Sequence, residues 1–187
     1  AGAGRLSETE RYDASVDTSG FKNLDQALAQ GRGALIVSLH FGNWDLGAAS
    51  ATARGYGVTV IGESFTNPRL DALVVKGREE LGLRLVKMDR AAPSLIRALR
   101  RNELVAILID RPMDEGGVQV RFFGEEVIVP AGPARLALHT GALAGAVAVP
   151  RVGPRKIRML ADFDLEFTPT GEHQQDIQAL TQAIMTS

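Results

Sequence analysis

Ala34-Leu35-Ile36-Val37-Ser38-Leu39 runs directly into His40-Phe41-Gly42-Asn43-Trp44-Asp45. A short, nearly continuous apolar run is the pattern of a strand buried on both faces, and the change to Gly-Asn-Trp-Asp marks its end and the start of a helix at about Trp44. A histidine at such a junction projects into a cleft. A carboxylate five positions later, in the first helical turn, is placed to fold back on the second ring nitrogen, fix the tautomer and stabilise the imidazolium. The stretch predicts His40 as a catalytic base and Asp45 as the acid that orients it.

Outward from this junction, strands and helices alternate. Residues 24–30 read as a short helix closed by Gly31, and Gly55 with Gly57 end the helix that starts at Trp44. The β-branched run Val58-Thr59-Val60-Ile61 predicts a buried strand. Asn67 is the expected N-cap, with Pro68 in the first turn, of a helix reaching about Leu81. Residues 83–87 and 104–109 predict further strands, with a helix over 93–101 between them. Residues 118–123 and 127–129, joined at Gly124, predict a hairpin attached to the main sheet. A helix over 132–140, a strand over 144–149, two ragged strands within 157–167 and a terminal helix over 174–185 complete the reading.

Apolar strands separated by helices predict an α/β fold: a single domain with a largely parallel central sheet flanked by helices. Ligands of such sheets lie beyond the carboxyl ends of the strands. Three polar clusters fall there: His40 with Asp45, Glu63 with Ser64, and Asp110 with Arg111. Backbone amides over 41–43, at the start of the helix, are the expected donors to an oxyanion.

Composition narrows the chemistry. The 187 residues, 45% of them hydrophobic, suffice for one well-buried domain. A net charge of -1 gives no overall pull toward nucleic acid, and none is expected as a partner. With no cysteine, a thiol nucleophile, disulfides and sulfur-ligated zinc are excluded. The three histidines show no His-x-His or His-Glu-x-x-His spacing, so no metal site is expected, and no Gly-x-Ser-x-Gly elbow marks a serine hydrolase. No stretch resembles a signal peptide or a membrane span of ~20 apolar residues. The chain begins Ala-Gly-Ala-Gly and stops at Thr186-Ser187 inside a helical pattern, as a fragment of a longer protein would.

Four ordered blocks carry a resemblance. They are His40-Phe41-Gly42-Asn43-Trp44-Asp45; Glu63-Ser64-Phe65-Thr66-Asn67-Pro68 with Asp71 and then Arg78; Ile109-Asp110-Arg111; and Phe122-Phe123-Gly124-Glu125 leading to Pro130-Ala131-Gly132. Together they resemble the bacterial lipid A and phosphatidylinositol-mannoside acyltransferases of the lysophospholipid acyltransferase superfamily, whose His-x4-Asp motif has this Gly-Asn-Trp interior. Many lipid A enzymes have Asp-Gln where Asp110-Arg111 stands, which looks closer to the mannoside side.

The resemblance implies a glycerolipid acyltransferase-like fold, with residues 1–187 as one acyltransferase domain lacking the family's N-terminal membrane anchor and C-terminal helix. It implies transfer of a fatty acyl group from acyl-CoA or acyl carrier protein to a hydroxyl of a glycolipid or lysophospholipid, with no cofactor. His40 and Asp45 would be catalytic. Asn43, Glu63, Asn67, Arg78, Asp110, Arg111, Gly124 and Glu125 would bind substrate, the arginines through phosphate and the carboxylates through headgroup hydroxyls. A lipid acceptor implies a membrane surface and a peripheral location on the cytoplasmic face of the cell membrane. Two other readings stay open: a non-catalytic lipid-binding module of the same fold, and a hydrolase using the same His-Asp pair. The amphipathic helix with Arg97, Arg100 and Arg101 either packs one face and solvates the other or touches anionic headgroups.

Overall fold

Residues 34–38 and 104–108 are the two most apolar runs of the chain, and they become the two central strands of its main sheet. The computed structural model describes residues 15–111 and 116–187; residues 1–14 of the domain expected over 1–187 lie outside them. In chain order the strands are β1 (Val16–Asp17), β2 (Ala34–Ser38), β3 (Val58–Gly62), β4 (Arg84–Lys87), β5 (Leu104–Leu108), β6 (Gly117–Phe122), β7 (Glu125–Pro130), β8 (Leu143–Ala148), β9 (Arg151–Gly153), β10 (Lys156–Arg158) and β11 (Leu160–Asp162). The helices are α1 (Phe21–Leu28), α2 (Trp44–Ala53), α3 (Pro68–Glu80), α4 (Ala91–Arg100), α5 (Gly132–Thr140) and α6 (His173–Thr186).

This is an α/β chain with mixed sheets. The main sheet has the order β11-β8-β2-β5-β3-β4, parallel at every pairing except the antiparallel β11–β8 edge. Buried side chains pack on both of its faces. Leu35 and Val37 of β2 join Leu95 and Leu99 of α4, Ala134 of α5, and Ile177 and Leu180 of α6. On the other face Ala34 of β2 joins Leu24 of α1, Ala51 of α2, Val58 of β3 and Met159. Truncating one of these large side chains to alanine costs ~2–5 kcal/mol, because the cavity it leaves cannot fully collapse.

One expectation is corrected. Among the described residues the hairpin β6–β7 pairs only with itself, not with the main sheet. Glutamines of α6 satisfy backbone groups of β6 instead: Gln182 accepts from the Arg121 N–H (2.8 Å) and donates to the Arg121 carbonyl (3.0 Å). The ragged strands divide, β10 joining a small sheet of order β1-β10-β9 and β11 extending the main sheet.

Candidate active site

Parallel pairing of β2 with β5 aligns Ala34 with Leu104 and Ser38 with Leu108, so the residues two beyond each strand end, His40 and Asp110, face each other. Asp110 holds His40 at two points. Its Oδ2 accepts from the His40 backbone N–H (2.8 Å), and its Oδ1 lies 2.7 Å from the ring Nδ1. With a proton on Nδ1, Nε2 keeps its lone pair, the state a general base requires. Burial opposes the Asp110 charge, but the hydrogen bonds from the ring and backbone of His40 outweigh it and hold the carboxyl below its ordinary 3.8.

The expected contact between Asp45 and the His40 ring is therefore corrected. Asp45 accepts instead from Arg78 Nε (3.1 Å), a residue of α3. The cause lies in the turn that starts α2. Gly42 adopts φ +73°, and a Cβ there would lie 1.9 Å from the Val149 carbonyl oxygen. Asn43 donates its N–H to that oxygen (2.9 Å) and caps α2 by accepting from the Leu46 N–H (3.1 Å). The helix so anchored carries Asp45 to α3, leaving the ring to β5.

Two of the amides expected as oxyanion donors are also already engaged. Phe41 N–H donates to the Leu39 carbonyl (2.7 Å) and Asn43 N–H to Val149.

His40 and Trp44 lie at one cavity of about 440 Å³ whose depth is apolar: Ala48 and Ala51 of α2, Ile36 of β2, Val58 and Val60 of β3. The His40 ring stands edge-on to Trp44 at 5.8 Å, and the Arg78 guanidinium lies over the same indole at 5.0 Å. Glu63, Arg78 and Arg111 belong to the polar wall, and Arg111 pairs with Glu63 there. Both partners of that pair are exposed, so it contributes little to stability and opens readily.

The remaining expected residues are placed elsewhere. Asn67 caps α3, accepting from Arg69 N–H (3.0 Å) and Leu70 N–H (3.4 Å). Asp71 accepts from Lys87 Nζ (2.8 Å) and from the Phe65 N–H (3.0 Å), which ties down the segment after β3. Gly124 and Glu125 sit at the β6–β7 turn, outside the walls of the His40 cavity. The arginines of α4 are exposed, and Leu95 and Leu99 are buried. Ser38 and Met88, which the sequence reading did not single out, line the cavity beside His40. Ser38 has the same strand parity as His40, the one signal that pointed to it.

A family model described as bacterial lipid A biosynthesis acyltransferase matches residues 5–187. The chain is 35% identical over 127 residues to a phosphatidylinositol mannoside acyltransferase of Mycobacterium tuberculosis (strain CDC 1551 / Oshkosh), covering 66% of this chain and 40% of that protein. It is likewise 35% identical over 144 residues to one from Mycolicibacterium smegmatis, covering 74% of this chain and 45% of that protein. The chain thus spans less than half the length of the curated relatives it matches.

Proposed function

We propose, from the premise that this chain belongs to the bacterial lipid A biosynthesis acyltransferase family, that it forms the part of an O-acyltransferase that moves a fatty acyl group from a thioester to a lipid-borne hydroxyl. The observation that carries this reading is the His40 ring clamped by Asp110 at a cavity whose depth is hydrocarbon-like. Nε2 of His40 takes the proton of the acceptor hydroxyl as its oxygen attacks the thioester carbonyl. A C–O bond forms, the C–S bond breaks, and the thiolate leaves. A thiol of pKa near ~8.5 is a good leaving group, so the reaction needs no enzyme nucleophile, metal or redox cofactor.

The acyl chain fills the apolar depth between α2 and the sheet, and Arg78 and Arg111 meet the anionic end of the donor, acyl-CoA or acyl carrier protein. A hydroxyl is far less acidic than imidazolium, so proton removal is concerted with attack and positioning supplies much of the acceleration. By the names of its relatives the acceptor is a phosphatidylinositol mannoside or a similar glycolipid. Such an acceptor places the protein peripherally on the cytoplasmic face of the membrane. Among the described residues no helix is long and apolar enough to cross one.

The test is thiol release from palmitoyl-CoA with a glycolipid acceptor, followed by mass spectrometry of the lipid product. An acylated product that disappears in His40→Ala supports the proposal. Lipid binding without turnover overturns it in favour of a binding module.

A further inference from the structure

The loop that carries His40 borders a second cavity, of about 450 Å³, which adjoins the His40 cavity and shares Ser38, Val147 and Met159 with it. Strand alternation explains the division. Ile36 and His40 line only the first cavity, and Val37, Leu39 and Phe41 only the second. The second cavity is walled by Leu39, Phe41, Phe122, Ala146, Leu160 and Met185. Ala146 and Ala148 of β8 contribute only methyl groups to its wall, where larger side chains would fill the space. Apolar walls of this kind retain hydrocarbon in preference to water. Phe41 is 57% exposed, and at the hairpin end Phe122 stacks edge-on with Phe123 (4.6 Å), so aromatic rings stand near this cavity.

Acyl transfer between lipids brings two hydrocarbon tails to one base, and the fold has two adjoining apolar cavities, one lined by His40 and the other by the next residue, Phe41. We infer that the second cavity takes one fatty chain of the acceptor lipid, while the donor's acyl chain occupies the His40 cavity. The two cavities adjoin at Ser38, Val147 and Met159, and the polar ends of the two tails meet past the end of β2, where His40 and Phe41 are consecutive. The inference rests on the acyl-transfer reading above and adds to it a subsite for the acceptor's tail.

The experiment is native mass spectrometry of the protein with palmitate and with lysophosphatidylinositol, a one-chain lipid probe, together with the KM of each substrate in the transfer assay. Ala146→Phe fills the second cavity. Leu160→Trp narrows it at an exposed strand residue and is tolerated by the fold even where Ala146→Phe is not. Wild type is expected to hold one molecule of each probe at once. Either variant is expected to weaken lysophosphatidylinositol binding and raise the acceptor KM about tenfold or more, the loss when two or three methylenes stay in water. The KM for palmitoyl-CoA stays within about twofold. Ala48→Phe, in the other cavity, is expected to remove palmitate and spare lysophosphatidylinositol.

Unchanged lysophosphatidylinositol affinity in the folded variants, or a single lipid equivalent in total, overturns the inference. Continued product formation by wild type in the same samples leaves the acyl-transfer reading standing, and its absence sinks that reading separately.

Discussion

Asp110→Asn keeps the shape of the side chain beside His40 and removes its charge. The size of the effect follows from the geometry. Charges about 4 Å apart attract by ~4 kcal/mol at an effective dielectric of ~20 and by ~1 kcal/mol in water. His40 and Asp110 side chains are 36% and 32% exposed, so solvent screens the pair and ~2 kcal/mol of imidazolium stabilisation is the fitting middle value. That is ~30-fold in rate. Asparagine adds a second loss, because its amide donates to Nδ1 and favours the tautomer whose proton blocks Nε2. In a fully buried triad the same change costs ~10⁴-fold. For this partly exposed pair the expected fall in kcat is ~10²–10³-fold. Asp45→Asn touches Arg78 rather than the ring, so it should lower kcat less than about fivefold and act mainly on the KM of the donor. Thiol release from palmitoyl-CoA reads both variants without background, since the chain has no cysteine. The reasoning is refuted if Asp45→Asn loses the larger part of kcat while Asp110→Asn stays within about threefold of wild type.

Other expectations follow from single contacts. Ala48→Phe should shorten the accepted donor, cutting kcat/KM for palmitoyl-CoA more than about tenfold while octanoyl-CoA is still used; equal losses for both would remove the acyl chain from that cavity. Gly42→Ala meets both a positive φ and the Val149 carbonyl, so it should destabilise by about 3 kcal/mol or more and lower Tm by ~6–12 °C. Phe123 is 93% exposed at φ +50° in a two-residue turn with Gly124, positions that favour asparagine and glycine; Phe123→Asn should raise stability by ~1 kcal/mol in a thermal melt while weakening binding to liposomes. Asp176 is buried and accepts from the Thr170 N–H (2.8 Å), the Thr170 hydroxyl (2.8 Å) and the Gly171 N–H (3.0 Å), with the backbone bond from Thr170 foremost in holding its pKa below 3.8. A carboxylate lowered in the folded state contributes stability above its unfolded value and loses it as pH falls through the folded one. Tm should therefore drop below about pH 4, and Asp176→Asn should flatten that acid limb.

The sequence carried the strands and their order along the chain well, because continuous apolar runs such as 34–39 and 104–109 are local signals. It did not carry which strand lies beside which. His40 and Asp110 each stand six residues after the first residue of a central strand, so an in-register parallel pairing puts them opposite each other. Nothing in either run states that they are neighbours. Spacing of five residues made Asp45 the nearer partner in sequence, but the Gly42 turn and the Asn43 cap set the helix direction, and that direction is decided by contact with Val149, more than a hundred residues away. The hairpin failed for a related reason. Alternation predicted its strands, and Gly124 its turn, but the groups that satisfy the outer edge of β6 are side chains of α6, which no strand pattern reveals.

A histidine held by a neighbouring strand behaves differently from one held within its own loop. Loops drift, whereas paired strands keep their register as long as the core beneath them packs. The His40–Asp110 contact is therefore as rigid as the β2–β5 pairing, and its geometry answers to Leu35 and Val105, neither of which lines either cavity. Asp45 is released for a separate task. By holding Arg78, which also lies over Trp44, it fixes a cation in the wall of the His40 cavity. The His-x4-Asp spacing here thus sends two contacts to the two sides of one glycine turn. The ring goes to the sheet and the carboxylate goes to the next helix, because the chain between them must bend around a carbonyl that leaves no room for a side chain.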